Sequence, residues 1–137
     1  MRSLAQRLIA EERRNGNDSD EGSRAAFRVC EKLRRPLSTF AGAAGFRSLF
    51  SRALVLAKVE SPLLEGVQIQ PDGSFGYAAE LEAQLATEDA ARAGAALADQ
   101  LLGLLVTFIG EALTLRLVHD VWPKAALKDS KPGGKSL

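Results

Sequence analysis

The sequence predicts an all-α (mainly α) protein: a compact bundle of four to five helices around one long buried helix, with a small β-hairpin. Three observations predict it. From Leu97 to Val121, apolar residues recur at about 100° per residue on two nearly opposite faces. Leu97, Leu101, Leu104, Phe108 and Leu115 form one face, and Leu102, Val106, Ile109, Leu113 and Leu117 the other. A helix that is apolar almost all round has to be covered on several sides. Helical spacing also runs through the first sixty residues, and only Val67 to Tyr77 alternates as strands do.

Met1 to Arg14 sets Leu4, Leu8 and Ile9 at helical spacing among charges, which predicts a short, peripheral amphipathic helix. Asn15 to Gly22 is a polar linker. Its Asp18, Asp20 and Glu21 suit the positive N-terminal end of the next helix, expected over Ser23 to Arg35 with Phe27, Cys30 and Leu33 inward. Pro36 cannot continue the preceding hydrogen-bond ladder and fits the first residue of a new helix. Apolar spacing then runs from Leu37 to Val55, interrupted by Gly42 and Gly45. Each glycine costs about 1 kcal/mol against alanine in a helix interior, so a bend or short turn is expected there. Phe46 to Val59 forms the following helix, and Ser61-Pro62 stops it.

Val67 and Ile69 alternate with glutamines, Pro71-Asp72-Gly73 turns the chain, and Phe75 and Tyr77 alternate again. Such a hairpin is marginal alone and must lie on helices. Ala78 to Ala86 reads as a weak helix or loop, and Thr87 caps the long helix, with Glu88 and Asp89 in its first turn. A kink is expected at Gly110 and a stop before Pro123. The chain divides into an N-terminal helix and linker (1–22), a helical core domain (23–123) and a disordered basic tail (124–137), with no internal repeat.

The 137 residues are one domain's worth of chain, enough to bury about two-thirds of its unfolded surface. A net charge of +1 hides an asymmetry: residues 1–60 carry twelve Lys/Arg against seven Asp/Glu, and residues 61–122 two against nine. The halves attract each other in the fold, or the basic one faces an anionic partner. The single cysteine, Cys30, excludes an internal disulfide and a multi-cysteine metal site. No secretory signal is expected, because Arg2 and Arg7 are followed by neither a long apolar region nor a small-residue cleavage site. The apolar run Leu101–Ile109 is about half the roughly 20 residues a spanning helix needs. No membrane span and a cytoplasmic location are therefore expected.

Few residues point to chemistry. His119 is the only histidine and lies near a helix C-terminus, where the dipole favours it and nothing nearby supplies a nucleophile. Cys30 shares the buried face of its helix with Phe27 and Leu33, which makes it a core residue despite Arg28, Lys32 and Arg34 nearby. Glu111 falls beside the Leu104–Phe108–Leu115 face, and a partly buried carboxylate there needs a partner such as Arg47 or Arg52. Gly103, Thr107, Gly110 and Thr114 form a stripe of small residues suited to close helix packing, with Gly42 and Gly45 the glycines to meet it. No catalytic, metal or cofactor-binding set is expected.

Phe40 to Leu54, FAGAAGFRSLFSRAL, resembles a helix-turn-helix, with Ala41, Gly45 and Phe46 in the places of the small residue, turn glycine and apolar residue. Gly45-Phe46 followed by Phe50-Ser51-Arg52 is also similar to the DNA-binding segment of the arabinose-type transcriptional activators. The spacer here is about two residues shorter, a rotation of about 200° on a helix. The resemblance implies a groove-facing set of Arg47, Ser48, Ser51 and Arg52. RVCEKLRRPLSTFAG, GFRSLFSRAL and QLLGLLVTFIGEALTLRLVHDVWP together resemble a small uncharacterised bacterial protein family, which implies no activity. The leading functional expectation is a non-enzymatic interaction or regulatory protein that self-associates through apolar helical surface, as a homodimer or with a protein partner. The alternatives are a DNA-binding regulator using 40–54, and a small-ligand binder or enzyme gathering Glu111, Tyr77 or His119.

Overall fold

The computed structural model describes residues 2–15, 21–70, 75–77, 79–82 and 87–123. The linker at 16–20, the Pro71-Asp72-Gly73 turn, residues 83–86 and the basic tail at 124–137 lie outside the described residues. The elements are α1 (Arg2–Asn15), α2 (Glu21–Glu60), a 3-10 turn (Pro62–Gly66), β1 (Val67–Ile69), β2 (Phe75–Tyr77), α3 (Ala79–Glu82), α4 (Glu88–Ile109) and α5 (Glu111–Val121). The chain is a mainly α bundle with one antiparallel hairpin.

Two glycines shape it. Gly42 sits inside α2 with φ 81° and ψ 163°, a region that only glycine enters freely, and it divides α2 into arms at 21–41 and 43–60. Pro36 does not start a helix as expected; it lies inside the first arm. The arm stays helical through it because Leu33 and Leu37, on either side, are both fully buried. The expected long helix Leu97–Val121 is two helices, broken at Gly110 with φ 92° and ψ 157°. The Gly110 N–H donates to the Val106 carbonyl (2.9 Å), and its own carbonyl accepts from the Thr114 N–H (3.1 Å) and hydroxyl (2.8 Å). Thr87 caps α4, its hydroxyl accepting from the Ala90 N–H at 3.1 Å.

Both breaks fold the chain back on itself. Glu60 and Ser61 meet Asp89 and Arg92, so the second arm of α2 runs antiparallel to α4. At about 1.5 Å per residue, this levels the start of that arm with the end of α4. Val121 lies beside Glu31, Lys32 and Pro36, so α5 returns along the first arm of α2. The two glycine bends therefore lie at one end of the bundle. Near the opposite end, α1 crosses the helices: Arg2 binds Glu60 (2.9 Å) and Asp99 (3.3 Å), while Glu12 reaches Arg28, Lys32 and Trp122. Expected to be peripheral, α1 instead buries Leu4, Ala5, Leu8 and Ile9 in the shared core.

Phe27, Leu33 and Leu37 of the first arm, Phe46 and Phe50 of the second, and Leu97, Leu101 and Leu102 of α4 form the centre of that core. The Phe46 and Phe50 rings stack 5.7 Å apart. Val67 pairs with Tyr77 and Ile69 with Phe75 across the hairpin, which docks by burying Val67 and setting Tyr77 5.0 Å from the Phe27 ring. The α4 helix is not covered all round as expected. Its buried positions end at Leu105, and Phe108 is 57% exposed, because the Gly110 break ends the helix at the rim of the bundle.

Candidate functional site

The structure places the sequence-predicted residues unevenly. Arg47, Ser48 and Ser51 come together with Ile69 around a shallow recess of about 370 Å³, and Arg52 is exposed on the same arm. The helix-turn-helix register is not kept: Gly45, its turn glycine, is helical, and the break comes three residues earlier at Gly42. A Cβ on Gly45 would stand 2.6 Å from that of Ala41, so this glycine serves close approach across the bend. Glu111 is exposed and forms no ion pair with Arg47 or Arg52. The break at Gly110 turns it outward into the first turn of α5, where the helix dipole favours a carboxylate. The small-residue stripe packs nothing along most of its length. A side chain at Gly103 would meet nothing within 4 Å, and Thr107 and Gly110 are exposed, since this part of α4 emerges from the bundle; Thr114 alone of the four is buried.

Cys30 is sealed in the core as expected, and burial, with Glu31 adding to it, pushes its thiol up to about 12. His119 is exposed on α5. Among the described residues, no group of three or more His, Cys, Asp or Glu side chains could hold a metal ion.

A polar cluster that the sequence reading missed is centred on Glu12, whose relative exposure is 1%. Its carboxylate accepts from the Trp122 indole N–H (2.8 Å), lies 2.6 Å from the Lys32 ammonium and accepts from Arg28 at 3.2 Å. Burial raises its pKa. The hydrogen bonds from Lys32 and Trp122, the Lys32 charge and the Arg28 hydrogen bond outweigh that and hold it below the ordinary glutamate value. The signal was present in the spacing: Glu12 follows Leu8 by four residues and Ile9 by three, on the apolar face of α1. This cluster locks α1 onto α2 and the end of α5.

The surface that stands out lies at the glycine bends. Thr39-Phe40-Ala41-Gly42-Ala43-Ala44 and Thr107-Phe108-Ile109-Gly110-Glu111-Ala112 share Thr-Phe-x-Gly-x-Ala, a short internal repeat that corrects the expectation of none. The repeat is conformational as well. Both glycines have nearly the same φ and ψ, and each threonine hydroxyl donates to the carbonyl four residues back (Arg35 and Gly103, both 3.2 Å). No residue of 38–45 or 106–113 is buried, so the core stops about one turn short of the bends on all four helical segments. Phe40 and Phe108 are 56% and 57% exposed, with Leu113 nearby in α5.

A second apolar group lies on the second arm of α2, where Val55 and Val59 are 61% and 85% exposed and Leu56 stands beside them. Two helices among the described residues, Ala25–Glu60 and α4, are long and apolar enough to cross a membrane by length and composition alone, a property that the core helix of a soluble protein shares. Phe40, Val55, Leu56 and Val59 on α2, Phe108 on α4 and Leu113 on α5 are the exposed large apolar side chains among the described residues. Comparison with protein-family models, with curated proteins and with solved structures finds no match to this chain.

Proposed function

We propose that this protein is a non-enzymatic interaction protein that self-associates along the outer face of the second arm of α2. The observation that carries this reading is the exposed stripe of Val55, Leu56 and Val59. Scattered apolar residues on a surface are ordinary, but three within adjacent turns of one helix make a patch that a partner covers. Ser48, Arg52, Val55 and Val59 also recur at intervals of four, three and four, the spacing of a helix–helix seam. Antiparallel pairing of two copies, centred between Val55 and Leu56, sets those two side chains against each other. It also sets the stem of Arg52 against Val59 of the second copy.

Light scattering on a size-exclusion column, at low and high salt with absorbance at 260 and 280 nm, tests this. A nucleic-acid-free dimer that persists in high salt is expected, with V55S/V59S monomeric and still helical. A monomer at every concentration overturns the reading. Nucleic acid that travels with the protein and is stripped by salt would favour the Arg47–Arg52 face as a phosphate-binding surface instead.

A further inference from the structure

We infer that the paired glycine bends form a wedge that docks on an anionic lipid surface, with Phe40 and Phe108 entering the headgroup layer. This surface is separate from the α2 seam, and its occupant is different. The repeat is the first ground. Two unrelated helix pairs end in the same Thr-Phe-x-Gly-x-Ala, at the same end of the bundle, each with its phenylalanine more than half exposed. The core needs neither ring, because its buried positions end at Leu37 and Leu105 and resume at Phe46 and Thr114.

Charge and depth supply the second ground. Arg47 lies five residues after Gly42, Arg35 seven before it, and Arg116 six after Gly110; all three are exposed. At 1.5 Å per residue, they form a collar about 8–10 Å behind the tips. That matches the roughly 5–10 Å to which an interfacial helix buries its apolar part. None of the three has a carboxylate partner among the described residues. Arg2, Arg28, Lys32, Arg34 and Arg92 are each held by an acid, whereas Arg13, Arg52 and Lys58, away from the bends, share with these three the lack of one among the described residues. Glu111 carries the one charge within 38–45 and 106–113, and it opposes docking.

Size supplies the third. Four helix ends of about 10 Å diameter present on the order of 400 Å². A stable protein interface takes about 800 Å² per partner, whereas a bilayer accepts a narrow wedge. Spanning is not the geometry proposed: Gly42 bends α2 between its arms, and α4 holds Asp99 in an ion pair with Arg2.

Flotation of the full chain with vesicles of phosphatidylcholine, with and without phosphatidylserine (about one lipid in three), tests the inference. The protein is expected to float with the anionic vesicles alone and to detach as salt rises. Each of R35Q, R47Q and R116Q should weaken binding about fivefold. F40S/F108S should abolish it with helicity unchanged by circular dichroism, and E111Q should tighten it. If the wild-type protein does not float with the anionic vesicles, or if F40S/F108S floats equally well, the inference is overturned. Binding that V55S/V59S removes and F40S/F108S spares overturns it too, by moving the surface to α2. Should F40S/F108S lose helicity, E111Q decides, and an unchanged affinity sinks the proposal.

Discussion

Gly42 and Gly110 hold the same backbone conformation, φ 81° and ψ 163° in one and φ 92° and ψ 157° in the other, each two residues after an exposed phenylalanine. They are the only residues with positive φ among those described. Each turns a helix back along its neighbour, so the fold is two hinged helix pairs braced by α1.

Replacing either glycine by alanine should destabilise the protein by about 1–3 kcal/mol, because this region of φ and ψ is almost closed to a residue with a Cβ. Nothing lies within 4 Å of a Cβ at either site, so the cost is one of backbone conformation and not of crowding. Urea unfolding of G42A and G110A checks this, and the two should lose similar amounts. A variant as stable as the wild type would show that the bend does not depend on glycine.

Gly45 should behave differently. It is helical, and a Cβ there would stand 2.6 Å from the Ala41 Cβ. G45A should cost about 1–3 kcal/mol through overpacking. The A41G/G45A double variant should recover part of that loss, since it removes the atom in the way. Strictly additive losses in a double-mutant cycle would exclude the contact.

The Glu12 cluster predicts a pH dependence. Its folded pKa is depressed, so its contribution is fully present above the unfolded value of about 4.3 and is lost as pH falls through the lower folded value. E12Q should cost about 1.5–3 kcal/mol at neutral pH, the range for hydrogen bonds to a charged group. The gap from the wild type should close below about pH 4. Trp122 is the sole tryptophan and donates to Glu12, so its emission follows the loss of α1 contacts directly. A stability difference that stays constant down to pH 2 would remove Glu12 from the account.

Most of the elements were legible in the sequence because local rules decide them. Thr87 caps α4 since its hydroxyl needs only the N–H three residues on, and Val67–Ile69 pairs with Phe75–Tyr77 as the alternation of those residues predicts. Cys30 is buried because its helical spacing from Phe27 and Leu33 already says so. The candidate surfaces were not legible in the same way. Periodicity names the residues that share a face, but not which length of that face a neighbour covers. Phe108 and Leu105 look alike in a helical projection, yet only Leu105 is buried. Glu111 looked half-buried for the same reason, until the break at Gly110 turned it outward.

The sequence by itself determined a mainly α chain, its hairpin, its capped fourth helix and a core cysteine, since propensity, spacing and turn chemistry act within a few residues. The bends at Gly42 and Gly110 were also expected from the glycines, but tertiary structure alone decided that Pro36 stays helical and that Glu12 is buried among three donors. It also decided that two Thr-Phe-x-Gly-x-Ala segments separated by 68 positions share one end of the bundle. Those outcomes depend on where distant segments pack, because burial outweighs local preference wherever a neighbour is present and leaves apolar surface open wherever one is not.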